Sequence, residues 1–154
     1  MIYANSLVAG TLSPGDSAGA ITNFGNLGLH SSAVLQLELG GTVQGSEYDS
    51  VLVNGQAELG GSLQVSPING FEINVLNSET FTLLTATNAL SGSFANVLSG
   101  QRLITAGGEG SFLVDYSGNN LVLSDYTVIP EPATWTLLVL GAGVLLGSHR
   151  LRRS

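Results

Sequence analysis

Four carboxylates offer this chain its best prospects for chemistry. Glu47 and Asp49 flank Tyr48, and Glu38 and Glu58 stand twenty residues apart in similar surroundings. A glycosidase needs two carboxyl groups about 5–10 Å apart, one of them with a raised pKa. If the twenty-residue offset set Glu38 and Glu58 on adjacent strands, they would lie ~4.8 Å apart as a like-charge pair. Such a pair could hold calcium only weakly, and a solvated outer face is the simpler expectation. His30, in Leu29-His30-Ser31-Ser32, is one of two histidines, the other being His149 near the C-terminus. The Gly-x-Ser-x-Gly pattern of Gly15-Asp16-Ser17-Ala18-Gly19 falls in a stretch that reads as turn chemistry, and one histidine does not make a zinc site. It reads as a turn or strand-end residue. A phosphate-binding loop needs a lysine after its glycines, and the chain has no lysine. A β-helical polysaccharide lyase needs a basic residue in its cleft, and Arg102 is the single cation before residue 150. The expectation is a body with no catalytic residues, no cofactor and no metal.

Composition points the same way. The chain has 154 residues, 21 of them glycine, and only 10% are charged. Residues 1–128 carry ten of the eleven carboxylates against Arg102, a formal net of about −9. That field repels phosphate backbones, so no nucleic-acid partner is expected. With no cysteine, disulfides, thiolate metal sites and cysteine nucleophiles are all excluded.

The elements that must position these groups are short strands. Leu35-Gln36-Leu37-Glu38-Leu39 alternates apolar and polar residues, as a half-buried strand does. Segments 50–53, 62–65, 81–84, 112–114 and 120–123 read the same way. Pro14-Gly15-Asp16, Gly40-Gly41, Asn54-Gly55, Gly60-Gly61, Asn69-Gly70 and Gly107-Gly108 separate them as turn signals. Glu38-Leu39-Gly40-Gly41-Thr42-Val43-Gln44 recurs as Glu58-Leu59-Gly60-Gly61-Ser62-Leu63-Gln64. A period near twenty fits one coil of a solenoid, with the glycine pairs at equivalent corners. The expected fold is an all-β body over residues 1–126, a right-handed parallel β-helix in preference to a β-sandwich or jelly roll. In the sandwich, Asn54-Gly55 and Asn69-Gly70 would be hairpin turns.

Residues 127–154 differ in kind. Pro130-Glu131-Pro132 is followed by Ala133 to Ser148, which holds no charge, and then by Arg150, Arg152 and Arg153. The spacing predicts a helix over about 132–149. At ~1.5 Å per residue the uncharged run spans roughly 24 Å, short against a hydrocarbon core of ~30 Å. Trp135 suits the membrane interface, and Leu137, Leu138, Val139, Leu140, Val144, Leu145 and Leu146 suit the core. The arginines place the C-terminus in the cytoplasm and the body outside. Gly143 and Gly147 form a GxxxG pattern that can pack helices.

This tripartite tail resembles the PEP-CTERM sorting signal. The resemblance implies export, transient anchoring in the inner membrane, and an exosortase-type membrane protease as partner. Pro130, Glu131 and Pro132 would be its recognition motif, and release to the cell surface or outside would follow processing. Such proteins begin with a basic and apolar leader, which Met1 to Ser6 does not supply, so a C-terminal fragment or a misplaced start is expected. Separately, Gly10-Thr11-Leu12-Ser13-Pro14-Gly15-Asp16-Ser17-Ala18-Gly19 followed by Ile21-Thr22 resembles an element of autotransporter-like passenger β-helices. That resemblance covers about residues 9–66 and implies a β-helical surface protein. The function expected is therefore that of a structural or adhesive protein of the surface, biofilm or exopolysaccharide matrix, with extracellular polysaccharide as a further partner. The alternative is the end of a larger exported polysaccharide-acting enzyme whose catalytic part lies upstream.

Overall fold

A computed structural model describes residues 5–130. The chain runs in circuits. The first comprises β1 (Ser6–Val8), β2 (Thr11–Leu12) and β3 (Ala20–Asn23). The second comprises β4 (Leu27–Leu29), β5 (Val34–Leu39) and β6 (Ser50–Val53). The third comprises β7 (Gln56–Leu59), β8 (Ser62–Pro67), a 3-10 turn at Phe71–Ile73 and β9 (Phe81–Ala86). β10 (Ala89–Gly92) opens a fourth circuit, after which come β11 (Arg102–Ile104), β12 (Gly110–Ser117) and β13 (Asn120–Val128). The described body is all-β, with no α-helix among these residues.

Through β10, each strand pairs in parallel with the strand three places on. The first sheet is β1-β4-β7-β10, the second β2-β5-β8, and the third contains β3-β6-β9. β13 then pairs antiparallel with β9, and β12 and β11 follow it outward. The alternation read in residues 35–39 explains the stacking. Leu35, Leu37 and Leu39 are fully buried, and β5 lies in register with Leu63, Val65 and Pro67 of β8. Each such leucine contributes about 1.5–3 kcal/mol by leaving water. Phe81 sits where the circuits meet the terminal hairpin. Its ring stands edge-on to Tyr48 at 5.3 Å, to Phe71 at 6.0 Å and to Phe112 at 5.8 Å, the T-shaped geometry aromatic pairs prefer.

The twenty-residue repeat is not the circuit. Ser6 pairs with Leu27, Leu27 with Ala57 and Ala57 with Leu90, so successive turns take about twenty-one, thirty and thirty-three residues. Gly40-Gly41 follows β5 of the second sheet, whereas Gly60-Gly61 joins β7 of the first sheet to β8 of the second. The expectation of equivalent corners is thus corrected. The circuits differ in length because the corner between the second and third sheets takes 13–19, 40–49 and 68–80 in turn, and because β2 is shorter than β5 and the turn 9–10 shorter than the turn 30–33. Asn54-Gly55 links β6 and β7, which lie in different sheets, so it is a corner and not a hairpin turn. Asn69 and Gly70 both take positive φ, 56° and 71°, leading into the 3-10 turn.

Candidate functional site

Asp49 is the buried acid of the body. It closes the 40–49 loop at the start of β6 and is fully buried. One carboxylate oxygen accepts from the Gly19 amide at 2.7 Å and the other from the Glu38 amide at 2.8 Å. Burial pushes its pKa up, and the two amide bonds hold the rise back. Glu38 is also raised, first by burial and then by Asp49 and Asp16. These three acids share one corner, where each Asp49 oxygen accepts from backbone, Gly19 in the first circuit and Glu38 in the second, so the side chain ties successive circuits together. Glu47, two residues before it, is exposed and turned onto its own loop, accepting from the Thr42 and Val43 amides at 2.9 and 3.0 Å. The Glu47/Asp49 pairing considered above therefore resolves into two separate structural braces.

Glu38 and Glu58 are not stacked. Glu38 lies opposite Ser66, and Glu58 lies opposite Gly28 and Ser91 in another sheet. The expected like-charge pair fails because the repeat carrying it is out of phase with the coil. Among the described residues, no cluster of three or more His, Cys, Asp or Glu side chains could hold a metal ion. Arg102 is occupied too. Its guanidinium meets Asp125 Oδ2 at 2.8 Å and Thr127 Oγ1 at 2.7 Å, and its Nε donates to Ser111 Oγ at 2.9 Å. It also donates to the backbone carbonyls of Ser111 and Asp125. It clips β11 to β12 and β13 rather than facing a cleft. His30 is exposed, with Nδ1 3.0 Å from Ser32 Oγ, at the corner after β4.

A shallow concave surface lies on the outer face of the first sheet. Leu7, Gly28, Glu58 and Ser91 form one row across its strands. Shallow depressions of about 330 and 460 Å³ flank the row and share Leu7, Gly28 and Glu58. Their polar walls include Asn26, Gln56, Ser31 and Ser93. Gly28 contributes no side chain, and that leaves the dent between Leu7 and Glu58.

The corner beside this face holds residues the sequence argument passed over. Asn5 Oδ1 accepts from the Asn26 amide at 2.9 Å, and Asn26 Oδ1 accepts from the Gln56 amide at 2.9 Å. Side-chain carbonyls thus relay from circuit to circuit and satisfy corner amides that no strand reaches. The signal was present in Asn5-Ser6-Leu7-Val8, Asn26-Leu27-Gly28-Leu29 and Gln56-Ala57-Glu58-Leu59: an amide residue and then alternation, at unequal spacing.

Of the expected sorting motif, Pro130 is described and is exposed. Glu131 and Pro132 lie outside the described residues. So do the anchor residues Trp135, Leu137, Leu138, Val139, Leu140, Val144, Leu145 and Leu146, the basic Arg150, Arg152 and Arg153, and the whole expected helix. Among the described residues no helix is long and apolar enough to cross a membrane. Comparison with protein-family models, curated proteins and solved structures gives no match to this chain.

Proposed function

We propose that this is an exported structural or adhesive protein of the cell surface or extracellular matrix, with a body that is a right-handed parallel β-helix. Residues 127–154 are its PEP-CTERM-type signal: they hold it in the inner membrane until an exosortase-type protease releases it. The observation that carries this reading is where the last described strand ends. β13 ends at Val128, and exposed Pro130 follows two residues later, at the first residue of the Pro-Glu-Pro motif. In this reading the body is not an enzyme. Asp49 and Glu47 brace backbone amides and Arg102 braces the terminal strands, and the dent around Glu58 presents amides, hydroxyls and one carboxylate, groups suited to hydrogen-bonding an extracellular polysaccharide.

The test is to express the chain behind a working signal peptide in a host that has the sorting protease, then compare mature and full-length bands. Glu131→Ala should insert but remain unprocessed, because the motif and not the anchor is recognised. The triple change of Arg150, Arg152 and Arg153 to Ala should disturb orientation first, since each arginine resists mid-bilayer placement by roughly 2.5–3.5 kcal/mol on insertion scales. Equal processing of wild type and Glu131→Ala would reduce the tail to an ordinary anchor.

A further inference from the structure

A depression of about 380 Å³ lies between the 3-10 turn and the end of β13. Tyr126, 2% exposed, is its floor. Ile73 and Val128 form apolar walls and stay 82% and 60% exposed, with Ile129 beside them. Glu72 and Glu109 line the same space. One Glu109 oxygen accepts from Thr105 Oγ1 at 2.8 Å, and the Glu109 carbonyl accepts from the Ile129 amide at 2.8 Å, so this acid is held at the rim. The Tyr126 hydroxyl is buried and has no hydrogen-bond partner among the described residues, whereas buried hydroxyls almost always have one. It reaches its place because Gly110 lacks a side chain; a Cβ there would run into the hydroxyl. Burial, then Glu109 and Glu72, push the Tyr126 pKa up, so the phenol keeps its proton with two carboxylates near it.

We propose that this depression docks an arginine side chain presented by a partner peptide. The guanidinium meets Glu72, Glu109 and the Tyr126 hydroxyl oxygen, and the aliphatic stem lies on Ile73, Val128 and Ile129. A guanidinium brings five donors and no acceptor, which suits two carboxylates and a hydroxyl with a free lone pair. Its stem covers apolar surface while the charged head stays polar. A divalent ion fits less well, because calcium wants six to eight oxygens and these walls are apolar. Charge agrees. A body of about −9 attracts cations, and Arg102, the only arginine or lysine among the described residues, is held by Asp125.

The test titrates the full chain, in mild nonionic detergent at low salt, with a capped leucine–arginine–leucine tripeptide. It follows the amide resonances of Ile73, Gly110 and Ile129, which should shift saturably. Norleucine in place of the peptide's arginine should abolish the shifts. Glu72→Gln with Glu109→Gln keeps the shape and should weaken binding about tenfold or more, the worth of charge-assisted bonds. Tyr126→Phe should weaken it about threefold. Without peptide, its urea midpoint should be no lower than that of wild type, because the hydroxyl has no partner to lose. Equal shifts with the arginine and norleucine peptides would reduce the site to an apolar patch and overturn the proposal. Undiminished binding by Glu72→Gln with Glu109→Gln would overturn it too. So would the absence of shifts in wild type, and their appearance only after Arg150, Arg152 and Arg153 are changed to Ala would give the site to the chain's own tail.

Discussion

Asn96 stands in for a strand against Leu63. Its Nδ2 donates to the Leu63 carbonyl at 2.8 Å and its Oδ1 accepts from the Leu63 amide at 3.0 Å. One side chain thereby satisfies both backbone groups of a residue on the last strand of the second sheet. Asn96→Ala should cost about 1–3 kcal/mol, the penalty of leaving such groups unpaired. Asn96→Asp should cost at least as much, because a carboxylate facing the Leu63 carbonyl has no proton to donate. Urea unfolding of both variants checks this; an unchanged midpoint for Asn96→Asp would show that water replaces the cap freely.

Asp49 makes the corresponding brace between circuits. Asp49→Ala orphans the Gly19 and Glu38 amides and should destabilise by roughly 2–4 kcal/mol. Asp49→Asn keeps one acceptor and removes a buried charge, so it should lose clearly less. If the two substitutions prove equal in urea unfolding, the carboxylate's paired acceptance is not what holds the corner.

The same acids set a pH dependence opposite to ordinary acid unfolding. Glu38 and Asp49 have pKa values raised above their ordinary 4.5 and 3.8, chiefly by burial. The folded state therefore holds their protons more tightly than the unfolded chain. Stability rises with pH only where the unfolded state binds more protons. Here the sign is reversed. Stability falls as pH rises from the ordinary values through the raised ones, and the penalty is absent below that interval. The thermal midpoint should climb as pH is lowered from 7 toward 4, and Asp49→Asn should flatten the climb. A midpoint that declines steadily over that range would contradict the assignment.

Two glycines separate corner geometry from composition. Gly61 has φ +71°, and a methyl group there would run into the Ala33 carbonyl; Gly10 has no such φ and open space around it. Gly61→Ala should cost more than about 2 kcal/mol, combining left-handed strain with overpacking. Gly10→Ala should be nearly neutral. Denaturant midpoints of the pair decide whether the abundant glycine is structural at particular corners or merely tolerated.

Strand positions were legible because one face of each strand is apolar. Residues 34–39 and 50–53 are strands at the boundaries their alternation marks. Phase was not legible. Glu38-Leu39-Gly40-Gly41 ends a strand of the second sheet and Glu58-Leu59-Gly60-Gly61 ends one of the first, because both sheets use the same pattern of exit. The coil's own repeat is broken by unequal corners and strand lengths, so a constant offset cannot find it. Antiparallel closure by β13 was also hidden, since Leu121 and Leu123 alternate as any strand does and nothing in that pattern states direction. The brace of Asp49 was missed because its partners are backbone amides, which carry no residue-type signal, and that of Arg102 because Ser111, Asp125 and Thr127 meet it only once β11, β12 and β13 pair.

The placement of β13 has a mechanical consequence for an anchored protein. The strand runs nine residues, paired with β12 from Asn120 out to Val128 and with β9 over Asn120 to Leu123. If the tail anchors the body as proposed above, a pull along this strand would load its bonds to β12 over the whole length and its bonds to β9 only as far as Leu123, so the force would pass first into the terminal hairpin and from there into the third sheet.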